Sequence, residues 1–231
     1  IGTCLVGSEM CIRDSFINKG VNINQVNIKG FNVLMNSCYT NDTNVISHLI
    51  KTTKNINHKN NKGETALTIA VSNNSFESVE LLVKNGSEVN TVDENGNNLM
   101  YYLIKYSKAS KLDLTEKKME FLIKKGLKTN KDQGKGNSLY HLIIDKNNIE
   151  LFEKVKSFDI DVNTTNDEGL TPLHYAAMRS KNTEILKKLI SLGANKNLKT
   201  SFGETPFDLA LENELLKKSN SNIEFLKPRN E

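Results

Sequence analysis

The chain repeats one pattern of polar and apolar positions with a period close to 33 residues. Each copy has a glycine, a polar residue two positions later, and a mostly apolar pair four and seven positions after the glycine. The polar residue is a good helix N-cap, and residues spaced three apart share one helix face. The pattern predicts six helix starts, after Gly30, Gly63, Gly96, Gly136, Gly169 and Gly203, with N-caps at Asn32, Thr65, Asn98, Ser138, Thr171 and Thr205.

A second helix is predicted after each first helix. It ends at a residue placed to be its C′ position, which is glycine in four repeats, Asp159 in one and Thr53 in another. Because β-branched residues avoid the left-handed conformation, we expect the helix end at Thr53 to have a different shape. Every C′ position lies ten positions before the next turn glycine, which indicates a connector of one geometry, such as a two-armed hairpin. The apolar pairs of these helices are Ile46/Leu49, Val79/Leu82, Met119/Leu122, Phe152/Val155 and Leu186/Leu189.

Residues 167–177, Asp-Glu-Gly-Leu-Thr-Pro-Leu-His-Tyr-Ala-Ala, followed by Ile-Leu-Lys-Lys-Leu-Ile-Ser-Leu-Gly-Ala-Asn at 185–195, resemble an ankyrin repeat in nearly full form. Residues 61–70 and 79–90 are a second good match. The resemblance implies an all-α repeat solenoid of stacked ankyrin repeats, each a helix–turn–helix with a β-hairpin loop. About six repeats and a partial N-terminal one are expected, and stacked units of this kind share a continuous core.

The resemblance defines an ankyrin repeat domain at residues 16–227. We expect a partial repeat at 16–24, repeats starting near residues 26, 59, 92, 132, 165 and 199, and a tail at 228–231. Residues 1–15 match nothing that follows and resemble translated sequencing-adapter contamination, so we treat them as a non-native leader. The native N-terminus is then expected to lie upstream, and the sequence indicates no cellular location. The amino-acid sequence of the repeats resembles that of arrays from AT-rich bacterial genomes.

Two repeats depart from the common pattern. The repeat at Gly96 carries seven extra residues between its helices, around 106–115, for which the simplest expectation is a mobile loop and the alternative is a binding element. The last repeat has a polar run at 213–222 before Ile-Glu-Phe-Leu at 223–226. It is expected to be a C-terminal cap with an irregular second helix.

Composition narrows the functional classes. The 31 Lys and Arg residues against 27 Asp and Glu residues leave a net charge of +4 spread along 231 residues, which does not favour a nucleic-acid partner. No run of about 20 apolar residues is present, so no membrane insertion is expected. Arginine occurs at only three positions, which codon bias explains. Outside the leader, Cys38 has no second cysteine for an intrachain disulfide.

Candidate chemistry is sparse, and we expect no catalytic, cofactor or metal residues. His141 and His174 occupy the same position in successive repeats, too far apart to share a metal, so hydrogen bonding within the turn is expected. Cys38 is expected to be buried rather than reactive. Gly-Lys-Gly-Asn-Ser at 134–138 lacks the first glycine of a phosphate-binding loop, and its residues are accounted for as a turn and an N-cap.

In the ankyrin family, partners are usually held by the hairpin tips and the inner face of the first helices. The residues of this chain at those positions include aromatic, Met and Arg side chains, the types enriched in interface hot spots. Phe31 and Phe202 lie on hairpin tips and are the strongest candidates for contact with a partner. Either one could instead pack on a neighbouring repeat. The full candidate set is Phe31, Tyr39, Lys105, Tyr106, Met178, Arg179 and Phe202.

The resemblance therefore predicts a non-catalytic scaffold that binds a partner protein and acts as a monomer. One alternative is an accessory recognition array of a larger enzyme or secreted effector, whose catalytic domain lies upstream of the sequence. Another is a purely structural spacer.

Overall fold

A computed structural model describes residues 24–73, 75–129, 134–158 and 160–228. These residues form twelve α-helices and four short 3₁₀ segments, and they contain no β-strand. The chain divides into two compact units, residues 1–94 and 95–231. The leader at 1–15 and nearly all of the partial repeat at 16–24 lie outside the described residues, as do the predicted helix end at Asp159 and the last three residues of the tail.

The first unit contains two helix pairs. The first helices of its two repeats pack against each other, as do the second helices, and each first helix packs on its own partner. This is the stacking that the repeat pattern predicts. The helices are α1 (Val33–Thr40), α2 (Thr43–Thr52), α3 (Ala66–Ser72) and α4 (Phe76–Lys84).

The second unit contains four helix pairs stacked in the same way. The first helices of the four pairs pack in succession, and so do the second helices of the first three pairs. The helices are α5 (Leu99–Lys105), α6 (Leu112–Lys124), α7 (Leu139–Lys146), α8 (Ile149–Val155), α9 (Pro172–Arg179), α10 (Glu184–Ser191), α11 (Pro206–Glu212) and α12 (Glu214–Lys218).

All six predicted N-caps are confirmed. Asn32, Thr65, Asn98, Thr171 and Thr205 each accept a hydrogen bond from a backbone N–H of the first helical turn, and Ser138 shares a capping box with His141. The apolar pairs predicted for the second helices are all buried. The first-helix pairs are buried as well, except for Phe207 in the last repeat, which is partly exposed.

Helix ends also follow the prediction. Gly86, Gly126 and Gly193 have φ values of 95°, 90° and 93°, the left-handed conformation expected at C′. Thr53 has φ −71° and ψ 140°, so the chain leaves α2 in an extended conformation instead. The six turn glycines all have positive φ, between 66° and 83°.

The expectation of a mobile loop around residues 106–115 is wrong for most of its length. Ala109–Lys111 form a 3₁₀ turn that runs directly into α6, which at 13 residues is the longest helix of the described chain. Leu112 and Thr115 are buried, so the extra residues gain apolar contacts by becoming helical. The insertion therefore lengthens a second helix.

The last repeat ends as an irregular cap. Its second helix, α12, is only five residues long, and a 3₁₀ turn at Glu224–Leu226 follows it and packs on α11. Leu226 is fully buried, and the Lys227 ammonium lies 5.6 Å from the centre of the Phe207 ring. The chain thus folds back over part of the last repeat.

The asparagines that recur with the glycines connect neighbouring repeats. Asn163 donates from Nδ2 to the Gly193 carbonyl and accepts the N–H of Asn195 on Oδ1, at 3.3 and 2.8 Å. In the first unit, Asn57 makes the equivalent bonds to Gly86 and Glu88. One amide therefore satisfies a helix-end carbonyl and a loop N–H about 30 residues away.

Replacing Asn163 with alanine is expected to lower the free energy of unfolding by about 1–2 kcal/mol, because two inter-repeat hydrogen bonds are lost. Urea denaturation followed by circular dichroism measures the change. Asn36→Ala is a matched control, since Asn36 lies exposed on α1 and makes no side-chain hydrogen bond to another repeat among the residues that the structure describes. An equal free energy of unfolding for Asn163→Ala and the native chain would contradict this connecting role.

Candidate protein-binding surface

The hairpin tips are tight turns closed by hydrogen bonds. At Asn60, the side-chain oxygen accepts the N–H groups of Lys62 and Glu64, and Gly63 donates its N–H to the Asn60 carbonyl. Gly63 has φ 75°, and a Cβ added there would lie 2.7 Å from the backbone nitrogen of Glu94. Glycine is therefore required both for the turn and for the close approach of the next tip.

Neighbouring tips are joined by single backbone hydrogen bonds. In the first unit, Asn61 N–H donates to the Lys29 carbonyl and Glu94 N–H donates to the Lys62 carbonyl, at 3.1 and 3.0 Å. In the second unit, Asp167 N–H donates to the Lys135 carbonyl at 3.0 Å. Side chains at the tips are consequently presented on a fixed backbone, which limits the entropy lost on binding.

Phe31 and Tyr39 lie together in the first unit. Their rings are stacked with centroids 6.2 Å apart and an angle of 28° between the planes. Phe31 is half-buried by this contact, whereas Tyr39, at the end of α1, is exposed. Phe31 thus packs within its own repeat and supports Tyr39, and the neighbouring tip residue Ile28 is the more exposed side chain.

Lys105 and Tyr106 form a second exposed cluster, at the end of α5 in the second unit. The Lys105 ammonium lies 5.1 Å from the centre of the Tyr101 ring and 5.5 Å from that of Tyr106. Tyr106 in turn stacks on Tyr102, with centroids 6.2 Å apart. Since Tyr102 is buried, the exposed Tyr106 ring is held in place by the core.

Met178 and Arg179 are both exposed at the end of α9. The Arg179 guanidinium lies 4.5 Å from the centre of the Tyr175 ring and 3.6 Å from the Asp145 carboxylate on the preceding repeat. The Tyr175 hydroxyl donates to the same carboxylate oxygen at 2.8 Å. Burial, and then the hydrogen bond to Asp145, raise the pKa of Tyr175 to about 12, so this hydroxyl remains a donor.

Phe202 lies on the tip of the last hairpin and is 87% exposed. Its backbone N–H is bonded to the Thr200 hydroxyl, which fixes the turn. Phe202 therefore does not pack on a neighbouring repeat. The structure places the seven candidates as three local clusters and this single tip residue.

Tyr175 and Asp145, which hold Arg179 in place, are residues that sequence reasoning missed. Tyr175 lies six positions after its turn glycine, and Tyr102 occupies the same position in an earlier repeat. That recurrence of tyrosine on the inner helix face was the available signal. Asp145 has no comparable signal, because its role depends on a hydrogen bond to the next repeat.

His141 and His174 make structural hydrogen bonds, as expected. His141 Nδ1 lies 3.1 Å from the Ser138 backbone nitrogen and accepts its N–H, and Nε2 lies 3.0 Å from the Leu170 carbonyl of the next repeat. His174 repeats this arrangement with Thr171 and Leu198. Burial lowers the pKa of His141 to about 4 and lowers that of His174 as well, so both rings are neutral near pH 7.

The remaining candidates for chemistry are accounted for in the same way. Cys38 is fully buried, and burial raises its pKa to about 12, which suppresses the reactive thiolate. Residues 134–136 form a tight turn in which Lys135 has φ 67°. Among the described residues, no group of three or more His, Cys, Asp and Glu side chains is placed to hold a metal ion.

A cleft of about 420 Å³ lies on the opposite, second-helix side of the second unit, beside the insertion. Lys154 of α8 bonds there to Asp113 and Glu116 of α6, at 3.1 and 2.6 Å. The insertion is thereby tied to the following repeat. The cleft is lined by Ala109, Ser110, Leu112, Asp113, Glu150, Glu153 and Lys154.

Within the described part of the chain, the helices are too short and too polar to cross a membrane.

Two family models match the sequence. One, described as ankyrin repeats in three copies, matches residues 7–93, and another, described as ankyrin repeats in many copies, matches residues 155–210. Together they cover more than half of the chain. The first match begins inside the segment treated above as a leader.

Curated relatives come from poxviruses and from a bacterium. The chain is 34% identical over 118 residues to the ankyrin repeat protein OPG189 of variola virus, which is 50% of this chain and 21% of that protein. It is 38% identical over 74 residues to a putative ankyrin repeat protein of Rickettsia bellii, which is 29% of this chain and 44% of that protein. The chain thus spans about a fifth of the poxvirus relative.

Solved structures show the same fold. The human ASB11 ankyrin repeat domain superposes with a TM-score of 0.74 at 20% identity, covering 94% of this chain and 93% of that one. The ankyrin repeat domain of Bcl-3 gives 0.70 at 18% identity, covering 87% and 86%. A chain from the complex of the Bdellovibrio bacteriovorus predatory endopeptidase Bd0816 with immunity protein Bd3460 gives 0.62 at 21% identity, covering 84% and 99%.

Proposed function

The chain belongs to the ankyrin repeat family, and from that premise we propose that it is a non-catalytic scaffold that binds a partner protein. Domains of this family are typically protein-interaction modules. The proposed contact surface consists of the hairpin tips and the inner ends of the first helices, with Phe31 and Tyr39 in the first unit. In the second unit it consists of Lys105, Tyr106, Met178, Arg179 and Phe202.

The observation that carries this proposal is the support beneath the exposed side chains. Tyr106 is stacked on buried Tyr102, and Arg179 is held by both Tyr175 and Asp145. Side chains that are exposed yet already fixed lose little conformational entropy when they bind, and Tyr and Arg are the residues most often found as hot spots.

One of the similar solved structures also supports a protein partner. That structure is a complex of an endopeptidase with its immunity protein.

The proposal is tested by selecting binders from a displayed library of protein fragments against the immobilised chain. We expect the binders to lose at least about tenfold in affinity for Tyr106→Ala/Met178→Ala, the loss typical of hot-spot truncation. Leu211→Ala/Leu215→Ala is the matched control, since it removes exposed apolar side chains elsewhere in the second unit. A library that yields no binder, or binders equally affected by the control, contradicts the proposal.

A second candidate function is an accessory recognition array within a larger enzyme or effector. It is supported by the length of the curated relatives, of which this chain spans 21% in one case and 44% in another. The native gene around this sequence tests it: a catalytic domain in the same reading frame supports the proposal, and an array without one contradicts it.

A further inference from the structure

The Arg179 guanidinium is held in place without the use of its hydrogen-bond donors. It lies 4.5 Å from the centre of the Tyr175 ring, one turn earlier on α9, and 3.6 Å from the Asp145 carboxylate. A separation of 3.6 Å makes an ion pair but is too long for a hydrogen bond. Within the part of the chain that the structure describes, the guanidinium donates no hydrogen bond, and 57% of the side chain is exposed. Its fork of N–H groups is therefore open to a partner.

The Asp145 carboxylate does not occupy this fork. Its Oδ1 accepts the Tyr175 hydroxyl at 2.8 Å, and the same oxygen is the one that lies 3.6 Å from Arg179. A bidentate pair needs both carboxylate oxygens within hydrogen-bond distance of two N–H groups, and this geometry does not provide it. Asp145 thus attracts the guanidinium to its position while the donors of Arg179 stay available.

Arg179 lies in the interior of the second unit. Its helix, α9, packs against α7 of the preceding repeat and α11 of the following one, so its exposure does not depend on where the sequence ends. The equivalent residues, ten positions after the turn glycine, are Lys146 in the preceding repeat and Tyr106 in the repeat before that, and both are exposed. Exposed Met178 lies beside Arg179. These residues place a second cation and two apolar contacts near the guanidinium.

The charges around Tyr175 favour a ligand with a single negative charge. Asp145 and Glu168 both act electrostatically on the Tyr175 hydroxyl, and Arg179 is stacked on the ring of the same residue. A phosphate group carries about −1.5 to −2 charges at pH 7, so these two carboxylates repel it more strongly than they repel a carboxylate. A planar carboxylate also matches the fork of the guanidinium.

We propose that Arg179 binds an aspartate or glutamate side chain of the partner protein through two parallel hydrogen bonds. The inference rests on the proposed function and names the chemistry that the surface recognises. Tyr175 supports the guanidinium from below, Asp145 is a positioning residue, and Lys146 adds attraction for the same acid. The stacked Arg179 is fixed before binding, so the pair forms with little loss of conformational entropy.

The spacing of the repeats also sets the length of the partner segment. Arg179 and Tyr106 occupy equivalent positions two repeats apart, and α5, α7 and α9 pack in succession. Packed helices lie about 8–10 Å apart, so the two side chains are separated by about 16–20 Å along the surface. An extended chain advances about 3.3 Å per residue. The segment that joins them therefore carries its acid about five or six residues from an apolar side chain.

Selection of a displayed library of random twelve-residue peptides against the immobilised chain tests the inference. Peptides that lose at least about tenfold in affinity for Tyr106→Ala/Met178→Ala use the proposed surface. Among them we expect Asp or Glu at one recurring position, with an apolar residue five or six positions away. A library without any such peptide contradicts the proposed function and this inference with it. Surface-dependent peptides without a recurring acid overturn only the role of Arg179.

A double-mutant cycle then tests the contact itself. Replacing the acid of a selected peptide with its amide, or Arg179 with alanine, should each weaken binding at least about tenfold. The two changes together should cost little more than either one, because both remove the same pair. Arg179→Lys should recover only part of the affinity, since an ammonium lacks the fork. The control Lys181→Ala removes an exposed cation two residues away and should leave binding unchanged. Additive losses, or an equal loss in Lys181→Ala, overturn the assignment.

A phosphorylated probe distinguishes the two anions that a guanidinium can bind. The acid of the selected peptide is replaced with phosphoserine, and both peptides are titrated with the native chain at pH 7. We expect the phosphoserine peptide to bind at least about threefold more weakly, because Asp145 and Glu168 repel its larger charge. Tighter or equal binding of the phosphoserine peptide overturns the choice of a carboxylate.

Discussion

Acidification from pH 7 to pH 4 is expected to lower the free energy of unfolding by about 3 kcal/mol through His141 alone. Burial lowers the pKa of His141 from 6.5 to about 4 in the folded chain, so the unfolded chain binds more protons between these values. The stability is fully present above pH 6.5 and is lost as the pH falls toward 4. A difference of about 2.5 pH units corresponds to about 3 kcal/mol.

The geometry explains why the proton is excluded. Protonated His141 would carry a hydrogen on Nδ1, where the ring now accepts the Ser138 N–H and faces the Ser138 hydroxyl at 2.9 Å. The buried cation would also lack a neighbouring charge strong enough to offset desolvation, since Asp145 only partly opposes the shift. His174 adds to the effect in the same direction, because burial lowers its pKa too.

The other repeats of this chain show which residues can replace the histidines. Thr68 and Asp208 occupy the histidine position in other repeats, and each accepts the N-cap backbone N–H with an oxygen. His141→Thr/His174→Thr should therefore be less stable at pH 7, because the bonds to Leu170 and Leu198 are lost, yet vary less with pH between 6.5 and 4. Thermal melts across this range measure both effects. Equal slopes for the variant and the native chain would contradict the assignment.

The titration of Asp208 does not overlap the pH range of this comparison. Hydrogen bonds from the Thr205 hydroxyl and N–H lower the pKa of Asp208 below its ordinary 3.8. Its contribution to stability is present above that value and is lost as the pH falls below it. The histidines therefore lose their contribution to stability at a higher pH than Asp208 does.

The fold was predictable because its determinants are local. A turn glycine, an N-cap two residues later and a glycine at C′ act within a few residues of each other, and the structure confirms them at Gly63, Thr65 and Gly86. Even the exception at Thr53 followed from the sterics of a β-branched residue. These signals recur at a fixed period, which also determines how the repeats align.

The surface was less predictable because its geometry depends on contacts between repeats. Arg179 was a candidate by residue type, but its fixed position comes from Asp145, which lies on another helix 34 residues earlier in the sequence. Phe31 was expected at an exposed tip and is half-buried by Tyr39. The extra residues between the helices are simplest to interpret as a loop, whereas burial of Leu112 and Thr115 accompanies their incorporation into α6.

Lys118 is another feature that the period alone does not reveal. It lies in α6 with 1% of its surface exposed, at the position where other repeats bury Ser78, Leu151 or Ile185. Burial, and then the nearby Lys111 ammonium, lower the pKa of Lys118 from 10.5 to about 8. Below pH 8 the folded chain therefore carries a buried cation at a position where these other repeats have an uncharged side chain.

Lys118→Met is expected to raise the free energy of unfolding at pH 7 by about 2–3 kcal/mol, because it removes the desolvation of this ammonium and keeps a similar volume. In the native chain the unfolded state binds more protons between pH 8 and 10.5, so this penalty is relieved as the pH rises through that window. The gain from Lys118→Met should accordingly shrink by pH 10. Urea denaturation at both pH values measures it, with exposed Lys124→Met as the control on the same helix. A loss of stability in Lys118→Met at pH 7 would show that the contacts of the ammonium outweigh its desolvation.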